Sequence, residues 1–408
     1  VIPVSSLFKI DYISSFNFQS KTEMKKIINN LLFKVFCGIV LGIILGRFAP
    51  EVFLRIFVTF KEIFGNFLAF SIPLIIIGLV MPSIAELGKN AGKLLILTIG
   101  VAYFFTLFSG FSTYFISENI FPVLLKNQQI NSVAENENVL LPFFSIQMPP
   151  IVDVMSALLL SFIMGIGLSL KEETSLAQIV KEFGEIVRWF ISKAIIPLLP
   201  YYIMSIFVEI TFSDKIMPII EVFFKLIGII FVMNILFLVV QFAIAGGISK
   251  KNPFKSFWTM FPAYFTALGT QSSAATIPVT LRQTIKLGVS ERIAGFVIPL
   301  CATIHLSGST MKIVACAMAL MLLEGIPYDL NLFSGFIMML GIIMVAAPGV
   351  PGGGIMASLG IIQSILGFDE AQQGLMIALY MAMDSFGTAC NVTGDGAVAL
   401  IVDRIERK

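Results

Sequence analysis

Six runs of predominantly apolar residues, at roughly 29–48, 56–83, 92–117, 151–170, 178–211 and 217–248, constrain this chain before any single residue does. A helix that crosses a bilayer needs about 20 such residues, and each run is long enough. Only 13% of the 408 residues are charged and 57% are hydrophobic, where ordinary soluble domains carry roughly 25% charge. A surface this apolar must meet lipid, so the chain reads as an all-α polytopic membrane protein. The formal net charge of +2 gives no reason to expect a nucleic-acid partner. Cys37, Cys301, Cys316 and Cys390 lie in apolar segments without metal-ligand or disulfide spacing.

Basic residues orient the runs, because short cytoplasmic loops collect Lys and Arg. With the N-terminus inside, the inner loops carry Lys25, Lys26, Lys89, Lys93, Lys171, Lys250, Lys251 and Lys255. The outer loops carry Arg47, Lys126 and Lys215 beside Glu135, Glu137 and Asp214. The closing Arg404, Arg407 and Lys408 place the C-terminus inside as well, and Trp189 and Trp258 suit interfacial anchors. Residues 1–23 are expected to be a dispensable extension. Met24 stands directly before the first basic pair, and the preceding stretch lacks the features of a signal peptide.

After residue 252 the pattern changes. Segments 253–281 and 332–366 are apolar but broken by AYFTALGTQSSAATIPVT and AAPGVPGGGIMASLG. Irregular backbone at membrane depth survives only where protein or a water-filled cavity satisfies it. Each broken segment is followed by a polar-spotted helix, 293–322 and 371–401. A pair of interrupted segments in corresponding positions points to an inverted-repeat transporter site. Arg282, Lys286 and Arg292 bound the first segment, and Glu324, Asp329, Asp369 and Glu370 bound the second. Two re-entrant hairpins are therefore expected to enter from opposite faces and meet near the middle.

In the last helix Asp384, Thr388, Asn391 and Asp395 recur at helical spacing on one face, with Gly387 on the same stripe. Two carboxylates inside a membrane helix are costly and mark a functional pathway. The chain's single histidine, His305, stands in ATIHLSGST with Lys312 beyond it.

On QSSAATIPVT (271–280), GVPGGG (349–354) and NVTGD (391–395), the chain resembles the dicarboxylate/amino acid:cation symporters, the glutamate transporter family, from about residue 27 to 405. The resemblance implies a homotrimer of elevator-type transporters in the plasma (inner) membrane of a prokaryote. Each protomer would have eight transmembrane helices, two re-entrant hairpins and inverted repeats. It implies scaffold helices 1–2 over 24–88, helix 3 of the transport domain over 89–120, and scaffold helices 4–5 over 121–215. Helix 6, hairpin 1, helix 7, hairpin 2 and helix 8 complete the transport domain over 216–408. By residue-level match Asp384 would hold a substrate α-ammonium. Asn391 and Ser273 would meet the α-carboxylate, with Ser272, Ser309 and Thr388 nearby and Val350 to Gly354 as a lid. Residual sodium sites would draw on Thr303, Asn391 and Asp395.

Two departures alter those expectations. Relatives that carry acidic amino acids have an arginine where this chain has Gly387. A side-chain carboxylate would then lack a counter-charge at a cost of several kcal/mol, which favours a neutral amino acid. Gly387 is also expected to open room for a bulkier substrate, with rescue by Arg282 as the alternative. Sodium-coupled relatives carry Asn-Met-Asp-Gly-Thr where this chain has His305-Leu306-Ser307-Gly308-Ser309. Sodium wants oxygen ligands, preferably a carboxylate, so one site is expected to be lost. The stretch TIGVAYFF (98–105) is likewise short of side-chain oxygens.

Lys312 lies seven residues after His305, two helical turns along the same face. It could replace a sodium charge, with coupling sodium-independent or proton-linked through His305 and Asp384 or Asp395. The blander reading makes His305 a neutral hydrogen-bonder and sends Lys312 to water. No cofactor is expected. Alternatives are a sodium-coupled glutamate/aspartate or dicarboxylate symporter and, of another class, an intramembrane serine hydrolase using Ser272 or Ser273 with His305.

Overall fold

The computed structural model describes residues 31–89, 92–125, 140–170, 174–213, 216–347, 349 and 351–407. The expectations for residues 1–23, Lys25, Lys26, Lys126, Glu135, Glu137, Lys171, Asp214, Lys215, Val350 and Lys408 lie outside them. The described chain is helical, with no strand. In order it forms α1 (Leu31–Phe48), α2 (Glu51–Lys89), α3 (Lys93–Leu124), α4 (Val154–Ser169), α5 (Ser175–Phe212) and α6 (Ile216–Ser249). Then follow α7 (Pro253–Thr270), α8 (Ser273–Lys286), α9 (Glu291–Ile304), α10 (Ser307–Leu323), α11 (Leu330–Ala346), α12 (Gly353–Leu366), α13 (Glu370–Ala382) and α14 (Asp384–Glu406). Five of the described helical stretches are long and apolar enough to cross a membrane, six if the bent pair α13–α14 counts as one.

Large apolar side chains such as Phe36, Ile163 and Phe224 are exposed, as lipid-facing residues are. Trp189 and Trp258 are exposed too. By contrast α10 is buried along almost its whole length, so its polar residues have only protein to satisfy them.

Glycine sets the closest packing. Gly38, Gly42 and Gly46 recur one turn apart on α1, facing α5. A Cβ there would stand 2.5, 2.5 and 2.6 Å from the carbonyl oxygens of Pro200, Met204 and Val208. Small residues at such spacing let membrane helices approach backbone to backbone. A single π turn at Ile191–Ile195 interrupts α5.

Both interrupted segments form helical hairpins. In the first, α7 ends at Gln271 in the left-handed region (φ 54°) and Ser272 caps α8 by accepting from the Ala275 N–H at 3.3 Å. In the second, Gly352 (φ 74°) precedes α12. The two turns meet, as the sequence led us to expect: Ser272 Oγ donates to the Gly349 carbonyl at 3.3 Å. Hairpin 1 packs on α6, α9 and α14, while α12 and α13 pack on α2, and further on α4 and α5 respectively.

Two expected continuous helices are broken. The 293–322 helix divides at His305 and Leu306, which leave helical geometry (φ −107°, ψ 89° and φ −117°, ψ 43°). The 371–401 helix divides at Met383 with a 61° bend. The first break exposes polar backbone, and side chains answer it: Gly308 N–H donates to Asn391 Oδ1 at 2.7 Å, and Ser109 Oγ donates to the Ser307 carbonyl at 2.7 Å.

Candidate functional site

The site is built around the first turns of α10 and α14, where the two breaks come together. Asp384 opens α14, where a carboxylate suits the positive end of the helix. Its Oδ1 lies 2.9 Å from Lys312 Nζ, and its Oδ2 accepts the Gly352 N–H at 2.9 Å. The side chains are 0% and 3% exposed, so this is a fully buried ion pair under the turn of hairpin 2. The Lys312 ammonium also lies 3.6 Å from the Tyr380 ring centroid, a cation–π contact in a desolvated setting. Tyr380 Oη donates to Ser309 Oγ at 3.0 Å, and Asn391 Nδ2 donates to the same oxygen at 3.2 Å. One polar network thus joins α10, hairpin 2, α13 and α14.

Gly387 is what lets Lys312 in. A Cβ at that position would lie 2.6 Å from Lys312 Nζ and closer still to Cε. The room that the sequence seemed to leave for substrate is already occupied by the lysine. Gly354 makes a similar allowance, since a Cβ there would meet Tyr380 Oη at 2.7 Å.

A second pair lies further along α14. His305 Nδ1 and Asp395 Oδ1 are 2.9 Å apart, with the side chains 0% and 2% exposed. His305 Nε2 is 3.1 Å from Gln241 Nε2 on α6, and Phe105 presents an edge to the ring. In this amide orientation the imidazole accepts at Nε2 and donates from Nδ1 to Asp395, a neutral ring. Turning the amide over would place Gln241 Oε1, which has no partner here, on an Nε2–H and make the ring doubly protonated. Gly394 opens the space: a Cβ there would lie 2.7 Å from His305 Cε1. The buried Ser307 Oγ, Thr393 Oγ1 and Asn234 Oδ1 have no hydrogen-bond partner among the described residues.

The structure therefore brings Ser309, Lys312, Asp384, Gly387, Asn391 and Gly354 into one site, and His305 and Asp395 into another. Ser272 is at the hairpin tips, Ser273 is buried just behind Gly349, and Thr388 is buried on α14. Several expectations are corrected. His305 and Lys312 do not share a helical face, because the break at His305–Leu306 separates His305 from α10, and they contact different aspartates. Lys312 does not reach water. Thr303 is exposed and its hydroxyl donates to the Leu300 carbonyl of its own turn. Arg282 is exposed and replaces no arginine at position 387. No serine-hydrolase triad assembles, since His305 uses its ring nitrogens on Asp395 and Gln241 while the Ser272 hydroxyl turns to Gly349.

Sequence reasoning missed Tyr380, Gln241 and the Gly352 N–H. Gln241 did leave a trace: it and Asn234 are uncharged polar residues seven apart in a long apolar run, hence on one face of α6.

Residues 31–405 match the model of the sodium:dicarboxylate symporter family. Excitatory amino acid transporter 2 of Mus musculus is 28% identical over 261 residues, covering 61% of this chain and 44% of that protein. The serine/threonine transporter SstT of Acinetobacter baumannii is 27% identical over 401 residues, 92% of this chain and 96% of its own. The chain thus spans less than half the length of excitatory amino acid transporter 2 and nearly all of SstT.

Proposed function

This chain belongs to the sodium:dicarboxylate symporter family, and from that premise we propose that it is a secondary active transporter of a neutral amino acid. The observation that carries the reading is the buried Asp384 under the glycine-rich turn of hairpin 2, beside Ser309, Asn391 and Tyr380. A carboxylate supplies the partner for a substrate ammonium, and hydroxyl and amide donors suit a substrate carboxylate. An acidic side chain would find no guanidinium at position 387, and the one buried cation nearby is already paired with Asp384. SstT carries serine and threonine in its name, which makes L-serine and L-threonine the first substrates to try.

In this reading the eight-helix, two-hairpin protomer works as an elevator within a homotrimer in a prokaryotic plasma membrane, with both termini cytoplasmic. Hairpins 1 and 2, α3, α6, α9, α10, α13 and α14 would travel against α1, α2, α4 and α5. Hairpin 1 packs on α6, α9 and α14, all on the moving side, which supports that division. Coupling departs from sodium symport. Asp395 is engaged by an imidazole and Ser307 offers a hydroxyl where a carboxylate would serve sodium. What is left for sodium is oxygen from Asn391 and Asp395 and the unpartnered Ser307 Oγ, Thr393 Oγ1 and Asn234 Oδ1. Coupling is thus sodium-independent, or linked to a proton carried by His305 and Asp395.

One observation favours a second reading, a dicarboxylate without an ammonium group: Asp384 already holds a cation in the empty site. Calorimetric titration of the purified chain with L-serine, L-threonine, L-glutamate, L-aspartate and succinate, in sodium and in choline buffer, separates the readings. We expect the neutral amino acids to bind equally in both buffers. Binding of succinate alone would establish the second reading, and binding that requires sodium would overturn the coupling scheme.

A further inference from the structure

A carrier that ends its cycle empty must bring its binding site back across the membrane without substrate. A lone buried aspartate makes that step costly, because an unpaired charge in a low-dielectric interior is strongly disfavoured. Such a carrier either loads a cation for the return or only exchanges one substrate for another.

Here the cation is part of the chain. Lys312 Nζ lies 2.9 Å from Asp384 Oδ1 with neither side chain in contact with solvent. The Tyr380 ring backs the ammonium at 3.6 Å, and Gly387 leaves the gap through which the lysine reaches α14. Asp395 is hydrogen-bonded to His305 and lies outside this pair. We propose that Lys312 is a tethered counter-cation that makes the empty site electroneutral, so that the unloaded carrier returns without a bound metal ion.

The inference rests on the transporter reading and extends it to the direction of traffic. An amino-acid zwitterion fits the pair without changing its sum: the substrate ammonium approaches Asp384 while the substrate carboxylate approaches Lys312. Two charges balance in the empty site and four in the loaded one. Both forms can then cross without a metal ion, and the protein performs net transport.

The test uses the full chain in proteoliposomes loaded with labelled L-serine, with N-methylglucamine replacing sodium and potassium on both sides. Net efflux into substrate-free medium is compared with efflux into medium containing unlabelled L-serine. For the unmodified protein the two rates are expected to agree within about threefold, well under the penalty for returning a bare charge. In Lys312→Met the ratio of net to exchange efflux should fall by about tenfold or more, and external potassium or sodium should restore it. Lys312→Arg, which keeps the charge, should keep the ratio.

Exchange without net efflux in the unmodified protein would overturn the inference, as would net efflux that needs an added metal ion. So would an unchanged ratio in Lys312→Met. If Lys312→Met does not fold, the metal dependence of the unmodified protein and the Lys312→Arg ratio still decide the matter. Absence of any L-serine or L-threonine exchange would instead remove the neutral amino acid reading, and this inference with it.

Discussion

Two buried acid–base pairs hang from α14 about three turns apart, and their surroundings differ. Each holds an aspartate under 4% exposed at 2.9 Å from a basic side chain. Asp384, however, shares itself between a long flexible lysine and a backbone N–H in a glycine-rich turn, partners that can give way. Asp395 faces a stiff imidazole fixed on its far side by Gln241 and edged by Phe105. The comparison teaches that burial and distance alone do not assign a role. What surrounds the pair differs: in the proposed cycle the first would exchange its cation for a substrate ammonium, while the second, held by Gln241, would keep its hydrogen bond.

The strongest way to break the comparison is Asp384→Asn, which strands the Lys312 ammonium and removes the ammonium site. Breaking a buried pair costs about 3–5 kcal/mol. L-serine uptake is expected to fall by at least about 100-fold, with a lowered melting temperature in detergent. Gly387→Ala comes next, because its methyl group meets the end of Lys312. Overpacking of about 1–3 kcal/mol should weaken L-serine binding roughly tenfold in calorimetry. A non-additive double-mutant cycle with Lys312→Met would confirm that the two positions contend for one space.

At the second pair the effects should be on stability rather than on substrate. Gly394→Ala presses on His305 and Gln241, with an expected cost of about 1–2 kcal/mol in melting and little change in L-serine affinity. Gln241→Leu removes one hydrogen bond, about 1 kcal/mol. An equal loss of L-serine affinity in these two variants would erase the distinction between the pairs. The smallest effect is assigned to Lys61→Met. Its partner Glu209 is 2.5 Å away but both side chains are partly exposed, and such pairs contribute about 0–1 kcal/mol.

Much of this was readable from residue order. Apolar runs located the helices, and Gly, Pro and Ser clusters located both hairpins. The spacing of Asp384, Asn391 and Asp395 named the polar face of α14. Which cation would meet which carboxylate was not readable. The decisive breaks fall at His305–Leu306 and at Met383, where neither Gly nor Pro marks them. They are held open by partners far away in sequence, such as Asn391 on Gly308 and Asp384 on Gly352. Without the first break, Lys312 would appear to follow His305 along one face. Tyr380 and Gln241 were hidden for a simpler reason: a single polar residue in an apolar run looks the same whether it lines a site or fills a seam.

The notches that Gly38, Gly42 and Gly46 cut into α1 have a mechanical meaning. The carbonyls of Pro200, Met204 and Val208 sit in them like teeth, so α1 cannot slip along α5 unless all three disengage together. Against sliding, the two helices behave as a single bar with far greater resistance to shear than either surface made smooth by leucines would offer. A membrane is a two-dimensional fluid and gives no fixed point to push against. A part proposed to shift through such a medium would need a fixed partner within the protein, and this interlocked bar would serve as one.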